Sequence, residues 1–115
     1  MKALGRHLLI ELYDCDSKIL ADVKKVEEIM VEAAKATKAR IVDVIFHNFK
    51  PHGVSGVVVI AESHLTIHTW PEHNFASIDI YTCGAKIDPW QAYHLLRKRF
   101  RTKKLTALEI KRGVL

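Results

Sequence analysis

The sequence predicts an α+β fold: a two-layer sandwich of one mainly antiparallel sheet with two helices on one face, in the order β-α-β-β-β-β-α-β. Three observations carry this. Two stretches, near 19–37 and from Asp88 onward, repeat apolar residues every three or four positions. The remaining patterned stretches alternate, or run apolar and β-branched, as strands do. Finally, only the two connections that contain helices are long enough for parallel crossovers, so the other neighbours pair as hairpins. A chain of 115 residues is expected to form one domain, 1–115, with a core modest enough to favour association.

Leu4 to Tyr13 reads as the first strand, with Leu4, Leu8, Ile10 and Leu12 on one side and Gly5, His7, Leu9, Glu11 and Tyr13 on the other. Asp14 to Ser17 is a turn that supplies helix N-caps. From Ile19 to Thr37 one amphipathic helix is expected, with Val23, Val26, Met30 and Ala33 inside and Lys24, Lys25, Glu28 and Glu32 outside. Arg40–Phe49 is β-branched and strand-like, Lys50–Gly53 a turn, and Val54–Ala61 a strand whose run Val57–Ile60 predicts cover on both faces. Leu65–Trp70 and Phe75–Cys83 follow as strands around a turn at 71–74. Asp88-Pro89 starts the second helix, an N-cap followed by proline at the first helical position, with Trp90, Tyr93, Leu96 and Phe100 as its apolar stripe. Leu105–Ile110 closes the order as a short strand. The sheet face away from the helices then needs a cover, which a second copy of the chain would supply.

No apolar run approaches the roughly 20 residues of a membrane span, and the first residues lack a cleavable-leader pattern, so a cytoplasmic protein with no membrane partner is expected. Two cysteines, Cys15 and Cys83, are too few for a disulfide framework, although a single bridge stays open. The net charge of +5 permits a nucleic-acid partner. Its densest part, Arg97-Lys98-Arg99 with Arg101, Lys103 and Lys104, lies at a helix end where cations complement the dipole, so none is expected.

The chemistry concentrates at Glu62-Ser63-His64, between two strands. Period two sets His64, Thr66, His68 and Trp70 on one side of their strand, and Ser77, Asp79, Tyr81 and Cys83 on one side of the next. Should the register align them, His68 and Cys83 line one pocket with Ser63 and Ser55. A hydrolase triad lacks a Gly-x-Ser-x-Gly elbow. A metal site is disfavoured because His64 and His68 on one strand lie about 13 Å apart. A third possible chemistry is self-cleavage: the Ser63 hydroxyl attacks the Glu62 carbonyl carbon, and the resulting ester eliminates to leave a ketone at the new amino terminus. That reaction needs an open or strained turn, a base, and support for the oxyanion.

In three ordered motifs spanning essentially the whole chain, the sequence resembles the small prokaryotic form of the pyruvoyl-dependent S-adenosylmethionine decarboxylases of polyamine synthesis. They are Leu4-Gly-Arg-His-Leu8, the long run Gly53 to Glu72 around Glu62-Ser63-His64, and Ala76–Asp79 with Thr82-Cys83-Gly84 and Asp88-Pro89-Trp90. The resemblance implies cleavage between Glu62 and Ser63 into a β chain, 1–62, and an α chain, 63–115, with Ser63 becoming a covalent pyruvoyl cofactor. It implies His68 as the processing base, Ser55 as the serine that steadies the processing intermediate, and Cys83 as the catalytic proton donor. The pyruvoyl ketone would take the amine of S-adenosylmethionine as a Schiff base and accept electrons while CO2 departs. Phe49 and Glu72 match substrate contacts, with Trp70 as a third nominee, and the sites are expected at the interface of a homodimer, (αβ)2. Two other readings stay open: a pyruvoyl-dependent arginine decarboxylase of the same family, and a non-catalytic paralogue that serves as a dimer partner. His7, His47, His52, His73 and His94 receive no role.

Overall fold

Strict alternation along β1 (Ala3–Tyr13) buries Leu8, Ile10 and Leu12 completely on one side. The same parity recurs in β4 (Ser63–Trp70), where Leu65 and Ile67 are buried, and in β5 (Phe75–Cys83), where Ala76, Ile78 and Ile80 are. In the computed structural model, which describes residues 2–115, these strands join β2 (Ile41–Asn48), β3 (Val54–Ile60) and β6 (Lys104–Val114) in one sheet. Its order is β2-β3-β4-β5-β1-β6, and every neighbouring pair is antiparallel. The first strand is thus inserted between β5 and the last strand.

Helices α1 (Ser17–Leu20), α2 (Val23–Ala36) and α3 (Pro89–Arg99) cover the apolar face. Val26, Ile29, Met30, Ala33 and Ala34 of α2 meet Ala92 and Leu96 of α3, and Phe100 fills the space at the end of α3 with no exposure. Burying a ring of that size contributes about 2–3 kcal/mol relative to leaving it in water.

Four details differ from the expectation. The helix expected over 19–37 is two helices, because Asp22 leaves the helical conformation and its carboxylate accepts the amide protons of Lys24 and Lys25. A carboxylate at an N-cap competes with continuation of the preceding turn. The final strand runs to Val114 rather than Ile110, paired along its length with β1. Residues Pro71–His73 of the expected turn wind as one 3-10 turn that ends on Asn74 in the left-handed region. Finally, β3 is covered on one face only: Val58 and Ile60 are buried, whereas Val57 and Val59 stay half-exposed on the face without helices.

That uncovered face also carries exposed Ile45, Leu108 and Ile110. Both cysteines are free. Burial, with the Asp14 charge second, pushes the Cys15 thiol up to about 11. On the helical side Glu109 accepts from Arg6 Nη2 (2.9 Å) and Trp90 Nε1 (2.8 Å), tying β6 to β1 and α3. The bonds from Arg6 and then Trp90 hold its carboxyl down to about 2. Part of the basic cluster is neutralised within the chain, since Arg99 pairs with Glu32 and Glu28, and Arg101 lies 3.9 Å from Asp16.

Candidate active site

Ile60 pairs with Ser63, so Ala61-Glu62 is a two-residue link between β3 and β4. Glu62 takes a positive φ of 71°, a backbone conformation that costs a side-chain-bearing residue about 1–2 kcal/mol. It is a strained turn of the kind expected for self-cleavage, held by the ladder on both sides. At its end the Ser63 hydroxyl donates to the Glu62 carbonyl oxygen. Cys83 Sγ lies 3.1 Å from Ser63 Oγ and 3.5 Å from the same carbonyl oxygen. Hydroxyl and thiol therefore share one peptide oxygen.

Register explains why the thiol is there. His64 faces Tyr81, which carries β5 past the hairpin end so that Cys83 falls beside the link. On its other side Cys83 faces Gly5 of β1. A Cβ on residue 5 would sit 2.4 Å from Tyr81 Cε1, so only glycine lets that ring lie against β1 beside the thiol.

His68 and Ser55 form a second couple, directly opposed across β3 and β4, with Ser55 Oγ hydrogen bonded to His68 Nδ1 at 2.8 Å. They line a cleft of about 240 Å³ together with Phe49, Trp70 and Glu72. All three residues nominated for substrate contact thus gather around the second couple. The Trp70 ring is 6.3 Å from the His68 ring, and Phe49 and Trp70 are both about half-exposed.

The single pocket expected for Ser63, Cys83, His68 and Ser55 does not form within one chain. His68 follows Ser63 by five residues on an extended strand, about 16 Å away, and its register partners are Ser55 and Ser77, not Cys83. Parity put the imidazole and the thiol on one face; register put them at opposite ends of it. The protomer carries two separate clusters, one with Ser63 and Cys83, the other with His68, Ser55 and the aromatic cleft.

Two histidines without an expected role, His7 and His52, lie beside these clusters. His7 faces Tyr81 across the ladder and stacks on its ring at 5.4 Å, one row from Gly5 and Cys83. Arg112 Nη1 lies 3.1 Å from His7 Nδ1, and a guanidinium only donates, so Nδ1 accepts and Nε2–H faces Asp79 Oδ1 at 3.3 Å. His52 lines the cleft beside Phe49 and Glu72. For His7 the period-two parity with Gly5 was a usable signal. His52 lies in a turn, and nothing local in the sequence marks it.

Fold and site together define a class of protein: an α+β sandwich in which a serine at a hairpin junction is set against the carbonyl of its own preceding residue, with a thiol beside both. The sequence pattern of the S-adenosylmethionine decarboxylase family matches residues 6–113. The S-adenosylmethionine decarboxylase proenzyme of Carboxydothermus hydrogenoformans is 57% identical over 115 residues, covering 100% of this chain and 91% of that protein. That of Caldanaerobacter subterraneus subsp. tengcongensis is 55% identical, covering 99% and 92%. Among solved structures, the adenosylmethionine decarboxylase from Aquifex aeolicus superposes with a TM-score of 0.93 at 33% identity, over 100% of this chain and 95% of that one. The Trypanosoma brucei AdoMetDC-delta26 monomer shares the fold (TM-score 0.67, 16% identity), and this chain covers 45% of it. The chain belongs to the S-adenosylmethionine decarboxylase family, a family of enzymes.

Proposed function

We propose that the protein is a self-processing decarboxylase that converts S-adenosylmethionine to its decarboxylated form and CO2, for polyamine synthesis. One observation carries the reading: in a chain of this family, the Ser63 hydroxyl sits on the Glu62 carbonyl, with the Cys83 thiol on the same oxygen.

Processing follows from that geometry. Ser63 Oγ attacks the Glu62 carbonyl carbon, and the peptide C–N bond breaks to leave an ester and a free Ser63 amine. The thiol of Cys83, a weak donor, supports the developing oxyanion. His68, steadied by Ser55, removes the Ser63 Cα proton, and the Cβ–O bond breaks to release residues 1–62 with an ordinary carboxylate. Water then displaces ammonia from the dehydrated residue, leaving a pyruvoyl ketone at the start of 63–115. Bound to the substrate amine, the ketone supplies an electron sink for the carbon that loses CO2. In that step Cys83 Sγ holds the proton returned to the α-carbon.

The residues fit such a group, since the Ser63 hydroxyl lies on its own preceding carbonyl and Cys83 is within hydrogen-bond reach of it. Phe49 and Trp70 offer ring faces to a purine and to the sulfonium cation, and the Glu72 carboxylate offers acceptors to ribose hydroxyls. A cytoplasmic location belongs to the same reading, supported by the two free thiols.

The reading requires a homodimer, (αβ)2. The imidazole half-site of one protomer meets the nucleophile half-site of its partner when the two uncovered sheet faces pack together. Exposed Ile45, Leu108 and Ile110 on that face support such packing, because a lone protomer would leave this apolar surface in water.

The test is intact mass and CO2 release. Purified protein yields two fragments, 1–62 and 63–115, the second resistant to Edman degradation. Ser63→Ala stays whole. Labelled adenosylmethionine releases CO2 and labelled arginine does not; release from arginine alone would overturn the substrate assignment.

A further inference from the structure

We propose that His52 is a further substrate-contacting residue, a hydrogen-bonding side chain at the rim of the nucleoside cleft that sets affinity rather than turnover. The inference rests on the adenosylmethionine reading of that cleft.

His52 is exposed, and hydrogen bonds hold the turn beneath it. The turn that carries it is closed by Phe49 N–H donating to the Gly53 carbonyl at 2.8 Å. Next to it, Val54 N–H donates to Thr69 Oγ1 at 2.9 Å, which staples the turn to β4. Gly53 has φ +97°, and a Cβ there would sit 2.8 Å from the Thr69 carbonyl oxygen, so the turn rests directly on the strand that bears His68 and Trp70. Any other residue at 53 would lift His52 off the cleft.

The chemistry of the lining leaves a vacancy that His52 fills. Thr69 Oγ1 already donates to the Leu20 carbonyl (2.8 Å) while accepting from Val54. Ser55 and His68 are engaged with each other. Glu72 only accepts. Beside the Trp70 indole N–H and the second ring nitrogen of His68, which the bond to Ser55 leaves open, His52 offers a donor to the acceptor nitrogens of a purine or the ribose oxygens. It shares the cleft with Phe49, Trp70 and Glu72, the residues assigned to the nucleoside, so its contact is assigned to the nucleoside and not to the reacting carbon.

Two measurements test this. In the active enzyme, His52→Ala self-cleaves normally and keeps kcat while KM for adenosylmethionine rises about three- to tenfold, the loss of one net hydrogen bond. His52→Gln, which retains an amide donor, recovers part of that loss. In the Ser63→Ala protein, which cannot process, 5′-methylthioadenosine binds by calorimetry, and adding His52→Ala weakens it by a similar factor. Unchanged KM and unchanged nucleoside affinity overturn the proposal, as does a fall in kcat at constant KM. Failure of 5′-methylthioadenosine to bind the Ser63→Ala protein at all also overturns it. A wild-type enzyme that does not decarboxylate adenosylmethionine would instead strike at the proposed function, while the calorimetric arm still judges His52.

Discussion

Mixing two dead variants should restore cleavage, on one kind of chain only. His68 lies about 16 Å along β4 from Ser63, well beyond the hydrogen-bond reach a general base needs. On the proposed dimer, each working site takes Ser63 and Cys83 from one protomer and Ser55 and His68 from the other. Ser63→Ala cannot process, and His68→Ala alone should process about 10²–10⁴-fold slower than wild type, the usual worth of a positioned base. Co-expressed in equal amounts, the two assemble at random, and about half of the His68→Ala chains find a Ser63→Ala partner in a two-fold dimer. There, intact Ser63 meets intact His68, while the second site carries both lesions. Intact-mass analysis of doubly tagged mixed dimers should show the His68→Ala chain split into 1–62 and 63–115 and the Ser63→Ala chain whole. If the His68→Ala chain in such dimers stays whole, the base is not supplied across the interface. Should it split at the wild-type rate on its own, His68 is not the base.

The remaining predictions concern ionisation and burial. Glu109 is held near 2 against an ordinary 4.5, so its bonds to Arg6 and Trp90 contribute stability that is fully present above about pH 4.5 and lost as pH falls toward 2. Thermal melts across that window should fall more steeply for wild type than for Glu109→Gln, and parallel curves would refute the contribution. Cys15 is 3% exposed with its thiol pushed up to about 11, so iodoacetamide at pH 8 should leave it unmodified until denaturant is added. Modification of Cys15 at equal rates in native and denatured protein would contradict its burial.

Much of this protein was decided by local pattern. Alternation in Leu65 to Trp70 and in Ala76 to Cys83 sorted each strand into an apolar and a reactive side, because side-chain direction depends only on a residue's own strand. Asp88-Pro89 marked a helix start for an equally local reason, and Asp88 does accept the Trp90 amide proton. The Glu62-Ser63 junction stood out because a polar pair follows an apolar run. At Asp22 two local signals conflict, a cap residue and an apolar period that runs through it, and the cap prevails in the fold.

What only the tertiary structure decided is distance between segments remote in sequence. Parity leaves register free, and one pairing rather than another brought Cys83 to Ser63 and Ser55 to His68 while holding the two couples apart. The insertion of β1 beside β5, which places Gly5 and His7 next to the thiol, is likewise a choice among pairings that no stretch of chain records. Residue 52 reached the cleft through the bonds that fold its turn onto Thr69. Periodicity is a property of one segment, whereas a site assembled from several depends on how they pack.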